Sequence, residues 1–146
     1  MDINRSSPAT GEGRIQVAAP PETVWDVISD IDSWPTWNAD VKSAKLEGTV
    51  AVGSVFRWKS GASSLTSTLQ VVDRPNEIGW SGKTMGVKAM HVFRLKSQDG
   101  GTHVLSEESW EGLIASILKG YSRKAINRAI QNILAGLKQE AERRAA

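Results

Sequence analysis

The chain has 146 residues, a length that fits one domain, and contains no cysteine, which excludes disulfides, thiolate metal sites and a thiol nucleophile. Its 18 basic and 16 acidic side chains leave a net charge of +2, too weak to indicate nucleic-acid binding. No apolar run approaches the roughly 18 residues that span a bilayer, and the N-terminus lacks the hydrophobic stretch of a secretory signal. These features predict a cytoplasmic protein without a nucleic-acid partner or an integral membrane segment.

Charge is distributed unevenly along the chain. Residues 1–118 carry 11 basic and 14 acidic side chains, whereas residues 119–146 carry seven basic and two acidic ones. We interpret the basic terminal segment first as a solvated helix face. Binding to phosphate, to a membrane or to an acidic partner stays open.

Local sequence signals predict the first secondary-structure elements of the chain. Residues 1–13 are polar with Pro and Gly and are predicted to be a disordered arm, with residues 14–146 as a single domain. Arg14–Ala18 alternates like a short strand, and Pro20-Pro21-Glu22 favours a helix start. Apolar residues at helical spacing predict one buried stripe: Val24, Val27, Ile28 and Ile31. An aromatic turn interrupted by proline follows at residues 33–38.

Residues 41–110 carry the turn signals of an antiparallel sheet, with Gly, Pro and Asn-rich breaks between alternating runs. Six strands are predicted: Val41–Leu46, Ser54–Lys59, Leu65–Val72, Glu77–Ser81, Met85–Lys96 and Thr102–Trp110. These six strands make a six-stranded meander.

Turn geometry predicts the register of two hairpins. A two-residue turn at Asp99-Gly100 places His91 opposite Glu108. A similar turn in an earlier hairpin would pair Trp80 with Val71. One sheet face then collects Phe56, Trp58, Leu65, Leu69, Val71, Ile78, Trp80, Val87, Ala89, His91, Phe93, Glu108 and Trp110. Such an aromatic lining with few polar groups is typical of a ligand pocket and also of an ordinary core.

His91 and Glu108 are the polar members of this face, and burying an unpartnered charge is costly. They either pair with each other or face a cavity, where they are candidates for an acid and a base. The only other histidine, His103, falls on the opposite face, so no metal site is predicted. No cofactor motif is present, since Gly79–Thr84 only resembles the tail of a phosphate-binding loop and lies in a hairpin.

Residues Glu111–Arg144 have a helical pattern of apolar positions, but in two different phases. One side of a helical wheel collects Leu113, Ile114, Ile117, Leu118 and Tyr121, and nearly the opposite side collects Ile126, Ile130, Ile133, Leu134 and Leu137. One straight helix cannot bury both sides in one core. We therefore expect a break near Gly120–Ser122, with a short flap before it and a long helix from Ser122 to about Arg143.

The segment Ile15–Asn38 combines a strand, Ala-Pro, a helix bearing Val-Trp and an Asp-rich turn ending in Pro-x-Trp-Asn. With Gly101-Thr102-x-Val104 after the hairpin, it resembles the START-like helix-grip superfamily (SRPBCC), in its polyketide cyclase/dehydratase-type branch, over about residues 14–142. The resemblance implies an α+β helix-grip fold, in which a seven-stranded antiparallel sheet wraps around a long C-terminal helix. Short helices follow the first strand, and an elongated apolar cavity lies between sheet and helix.

The resemblance also implies which side chains bind a ligand. They are Trp37, Phe56, Trp58, Leu69, Trp80, Ala89, His91, Phe93, Glu108, Trp110, Leu113, Ile117, Tyr121, Ile126 and Ile130. Trp37, Leu113, Ile117 and Tyr121 would sit near the cavity mouth, with Gly120 as a hinge. Arg123 would meet either a ligand carboxylate or a surface acid. The family has no shared catalytic triad to carry over, so the catalytic residues stay unknown.

The leading hypothesis is binding of a small, largely hydrophobic molecule such as a lipid, polyketide-like or isoprenoid compound, without a cofactor. One alternative is a cyclase/dehydratase-type enzyme that folds its substrate, with His91 and Glu108 as acid and base. The other is a protein-interaction module that uses the acidic first helix or the basic terminal helix. Monomer and homodimer are both open.

Overall fold

The computed structural model describes all of residues 1–146. Its elements, in chain order, are β1 (Ala9–Val17), α1 (Pro21–Ser29), a 3₁₀ turn (Ile31–Thr36), β2 (Val41–Leu46), β3 (Val55–Ser60), β4 (Ser63–Asp73), β5 (Glu77–Thr84), β6 (Val87–Gln98), β7 (Gly101–Glu111), α2 (Leu113–Ile117) and α3 (Lys119–Ala145). The strands form one antiparallel sheet in the order β1-β7-β6-β5-β4-β3-β2. This confirms the predicted α+β helix-grip fold. No helix combines the length and apolar character that crossing a bilayer requires.

The long helix α3 packs on one face of the sheet, which we call the inner face, chiefly against β1 and beside α1. Its buried stripe is the predicted one and contains Ile126, Ile130, Ile133, Leu134 and Leu137. Glycines make the close approach to β1 possible. A Cβ on Gly11 would lie 2.3 Å from Ile126 Cγ2, and one on Gly13 would lie 2.5 Å from Ile130 Cγ2.

The register of the β6–β7 hairpin is confirmed, with His91 opposite Glu108. The predicted register of the β4–β5 hairpin is wrong, because Trp80 pairs with Leu69, and Val71 pairs with Gly79. The loop has three residues rather than two, and a bulge between Leu69 and Val71 shifts the strand by one position. Val71 consequently leaves the inner face, while its neighbour Val72 packs against the core.

The expectation of a disordered arm over residues 1–13 is corrected by the structure. Residues 9–13 belong to β1, and residues 1–8 lie across the outer face of β6 and β7. The backbone N–H of Asn4 donates to Ser109 Oγ at 3.1 Å, and Arg5 contacts Glu107 at 2.8 Å. Ile3 is buried there. Anchoring by hydrogen bonds and apolar contact outweighs the polar composition of the segment.

The predicted helix break is present but lies earlier. Leu118, with φ −102° and ψ 41°, separates α2 from α3, and Gly120 is helical and within α3. Gly120 is therefore not the hinge. The two sets of apolar residues have different environments, as the helical wheel predicts. The set in α3 is buried, whereas the large apolar side chains of α2 are exposed.

Near the end of α3, Glu140 accepts hydrogen bonds from Arg143 at 2.7 Å and Arg144 at 2.9 Å, which lower its pKa from 4.5 to about 2. A carboxylate whose pKa falls on folding stabilises the folded state above its unfolded pKa, and this stabilisation fades as pH drops from 4.5 towards 2. Because Arg143 is well exposed, we expect a contribution on the order of 1 kcal/mol. Urea unfolding from neutral pH into acid should show the wild-type advantage over Glu140→Gln shrinking below pH 4.5. An advantage that does not change with pH would contradict the assignment.

Candidate functional site

A cluster of aromatic rings fills the centre of the inner face, and Trp34 of the 3₁₀ turn is its hub. The indole is 1% exposed and its Nε1 donates to the carbonyl of Ile28 at 2.8 Å. Its ring centroid lies 5.3–5.4 Å from the rings of Phe56, Trp58 and Trp80. Edge-on and tilted packing of this kind is the favoured geometry for aromatic pairs. The cluster thus joins the 3₁₀ turn to β3 and β5.

A chain of polar groups crosses the inner face beside these rings. His91 Nε2 shares a hydrogen bond of 2.7 Å with Ser106 Oγ, and His91 Nδ1 lies 3.4 Å from Glu108 Oε1. The imidazole also stacks on Phe93, with centroids 4.7 Å apart, and contacts Trp80. Ser106 is buried, whereas the side chain of Glu108 is 13% exposed. The three side chains therefore form a row from the buried Ser106 to the partly exposed Glu108, with a hydrogen bond between Ser106 and His91.

A cavity of about 50 Å³ adjoins both the ring cluster and this polar chain. It is lined by Trp34, Asn38, Asp40, Val41, Trp58, Ser60, Trp80, His91, Glu108, Ala129 and Ile133. Asp40, Ser60 and Ala129 are partly exposed, so the cavity reaches the surface between the sheet and α3. No three His, Asp or Glu side chains come together as a metal-binding cluster.

The inner face is closed at one end and open at the other. Along β6, Phe93 and His91 are buried, whereas Ala89 and Val87 are partly exposed. Trp110 of β7, opposite Ala89, is also partly exposed. We call this open end, next to α2 and the β5–β6 turn, the mouth. An apolar surface that stays partly exposed between the sheet and the helix is available to another molecule.

The structure distributes the predicted site residues over three environments. The buried ones are Phe56, Leu69, Trp80, His91, Phe93, Ile126 and Ile130. The partly exposed ones are Trp37, Trp58, Ala89, Glu108 and Trp110, and the exposed ones are Leu113, Ile117 and Tyr121. Only Trp58, Trp80, His91 and Glu108 of the whole set line the cavity. Arg123 contacts no acid and donates to the carbonyl of Pro8 at 3.3 Å.

Trp37 does not line the cavity, because its ring packs against α3. A Cβ on Gly136 would lie 3.3 Å from Trp37 Cε3 and 2.4 Å from its carbonyl oxygen. Of Trp34 and Trp37, it is Trp34 that lines the cavity, and it was not among the predicted site residues. The signal was present, since Trp34 extends the stripe that includes Ile28 and Ile31 by one more helical step.

Solved structures of low sequence identity share this fold. A hypothetical protein from Helicobacter pylori is 14% identical, with a TM-score of 0.84 and coverage of 95% of this chain and 91% of that one. A START superfamily protein from Mycobacterium smegmatis is 16% identical, with a TM-score of 0.69 and 93% and 96% covered. The ZhuI aromatase/cyclase from Streptomyces sp. R1128 is 18% identical, with a TM-score of 0.80 and 94% and 95% covered. The fold is therefore that of the START-like helix-grip class.

No curated protein matches the chain in sequence. A family described as polyketide cyclase / dehydrase and lipid transport matches residues 8–142, almost the entire chain. The protein belongs to this family, as its opening strand–helix–turn segment indicated.

Proposed function

We propose that this protein is a cytoplasmic binding protein for a small, largely hydrophobic molecule held between the inner face of the sheet and α3. The observation that carries the proposal is the mouth, where apolar inner-face positions stay partly exposed next to a cavity lined by tryptophans. Removing apolar surface from water contributes about 25 cal/mol per Å². A ligand that covered Ala89, Val87 and Trp110 would gain this contribution.

The size of the cavity dictates how a ligand would sit. A volume of about 50 Å³ accommodates a few small groups, whereas drug-sized ligands occupy roughly 300–1,000 Å³. The ligand would therefore place one end in the cavity and extend along β6 to the mouth. Its inner end would meet His91 and Glu108, which favour a hydroxyl or carbonyl group at that end. An apolar chain with one oxygen-bearing end fits this arrangement.

A bulky side chain at the mouth tests the proposal. Ala89→Trp projects an indole onto the inner face opposite Gly82 and Trp110, and we expect it to weaken binding of the neutral probe N-phenyl-1-naphthylamine by about tenfold or more. Lys96→Trp adds the same ring to the exposed outer face of the same strand and should leave binding unchanged. Fluorescence titration of the three proteins measures both effects. Equal weakening by both variants, or no probe uptake by the wild type, would refute the proposal.

A second candidate function is favoured by the Ser106–His91–Glu108 chain. A family member that folds a reactive chain needs a group that moves protons, and positioned acid–base groups contribute about 10²–10⁴-fold to rate. In a cyclase/dehydratase-type reaction, His91 and Glu108 would serve as acid and base at the inner end of the ligand. Turnover of a poly-β-ketone substrate should fall by this factor in His91→Ala and Glu108→Gln. Unchanged turnover would remove both assignments.

A further inference from the structure

Six large apolar side chains are exposed together beside the mouth. They form what we call the apical patch: Met85, Leu113, Ile114, Ile117, Leu118 and Tyr121. Leu113, Ile117 and Tyr121 are 75%, 70% and 72% exposed, and within α2 only Ala115 is buried. Single exposed apolar residues are common, but a contiguous group of this size marks an interaction surface.

Backbone contacts hold the two parts of the apical patch together. Gly112, with φ +118°, directly precedes α2, and a Cβ there would lie 2.2 Å from the carbonyl oxygen of Gly86 in the β5–β6 turn. Ile114 in turn lies against Gly86. The turn that carries Met85 and the helix that carries Ile117 are therefore displayed side by side as one surface.

Basic residues flank this surface in the same stretches of the chain. The exposed residues Lys83, Lys88, Lys119, Arg123 and Lys124 flank the patch in the β5–β6 turn and at the start of α3. In the same stretches, residues 83–88 and 111–124, the sole acid is Glu111, which lies 3.8 Å from Lys88 and accepts a hydrogen bond from Asn4. An apolar surface flanked by basic residues is complementary to an anionic lipid surface, whose headgroups are negative and whose interior is apolar.

We propose that the apical patch docks the protein peripherally on an anionic membrane, with α2 inserted among the headgroups and the basic residues against the lipid phosphates. A second copy of the chain is disfavoured, because a face-to-face dimer would bring the basic residues that flank the two patches together. The inference goes beyond the proposed function and stands on the surface alone, whether or not the interior binds a ligand. Docking would nevertheless place the mouth next to the lipid.

Vesicle flotation tests the proposal directly. We expect the wild type to float with phosphatidylcholine vesicles that contain about 30% phosphatidylserine, and much less with phosphatidylcholine alone. High salt should weaken the binding, since the electrostatic part is screened. Ile117→Ser and Leu113→Ser should each lower the vesicle affinity by about tenfold, because each removes one apolar side chain from the inserted surface. Lys119→Ala and Lys124→Ala should lower it for anionic vesicles only.

Val52 supplies a matched control. It is exposed and apolar like Ile117 but lies in the β2–β3 loop, at the end of the sheet away from α2, so Val52→Ser should bind vesicles as the wild type does. The absence of cysteine allows one environment-sensitive dye to be attached at Ile117→Cys or at Val52→Cys. Anionic vesicles should shift the emission of the first dye to the blue and leave the second unchanged. Thermal unfolding midpoints confirm that each variant is folded.

Three results would overturn the proposal. The first is no flotation of the wild type with anionic vesicles at low salt. The second is equal flotation of Ile117→Ser and the wild type. The third is a dimer, or a complex with an acidic protein, that depends on Ile117 while vesicle binding is absent. Loss of probe uptake in Ala89→Trp with intact flotation would separate this inference from the proposed ligand site.

Discussion

Replacing Trp34 with alanine is expected to lower the free energy of unfolding by about 3–5 kcal/mol, the usual cost of removing a large buried aromatic ring. Trp34 contacts three other aromatic rings, and its Nε1 satisfies the carbonyl of Ile28 at the end of α1. Its loss would leave both a void and an unpaired acceptor. Chemical denaturation with tryptophan-independent detection, such as far-UV circular dichroism, measures the change.

The same substitution should increase the affinity of the interior for small apolar molecules. An engineered apolar void tends to stay dry and to take up small apolar molecules. We therefore expect Trp34→Ala to bind N-phenyl-1-naphthylamine more tightly than the wild type while being less stable. Trp37→Ala is the control, because Trp37 is partly exposed and does not line the cavity. If Trp37→Ala cost as much stability and gained as much binding, Trp34 would not be the hub of the interior.

Local sequence signals determined most of the sheet. The Asp99-Gly100 turn sets the register of β6 against β7, and strict alternation then carries His91 and Glu108 to the same place on the inner face. The β4–β5 register was mispredicted for a physical reason. Both Val71 and Val72 are apolar, so alternation gives no sign of the bulge that turns one of them outward.

The ends of the chain were harder to predict because they depend on contacts far away in sequence. Gly11 and Gly13 are typical of a flexible arm, but in the fold they are strand positions where only glycine leaves room for α3. Ser106, which shares a hydrogen bond with His91, was also not predicted as a site residue. Ser106 lies opposite Phe93 in the register, so it reaches His91 diagonally across the strand pair.

Packing of Trp34 and α3 against the sheet fills most of the interior but leaves some space for a ligand. Trp34 and α3 leave about 50 Å³ beside the polar chain, yet the inner face stays partly uncovered at the mouth. Ala129 and Ile133 of α3 form one wall of that cavity. The distance between α3 and the sheet therefore sets the space available to a ligand, and β1 determines this distance through its two glycines.

Substituting alanine for Gly11 and Gly13 together should separate α3 from β1. The added methyl groups would lie 2.3 Å from Ile126 Cγ2 and 2.5 Å from Ile130 Cγ2, closer than packed carbon atoms approach. Overpacking of this kind costs about 1–3 kcal/mol at each site. Because both methyl groups push the same helix, we expect the double variant to lose less stability than the two single variants combined. Denaturant unfolding of the four proteins of the cycle measures this coupling.

Gly120→Ala provides the control for this experiment. Gly120 is helical and a Cβ there meets nothing within 4 Å, so alanine should stabilise the protein by up to about 1 kcal/mol instead of destabilising it. The outward shift of α3 in the double variant should also widen the cavity at Ala129 and Ile133 and increase probe binding. Additive losses of stability without a gain in binding would show that β1 yields instead of α3, and that the glycines do not set the size of the interior.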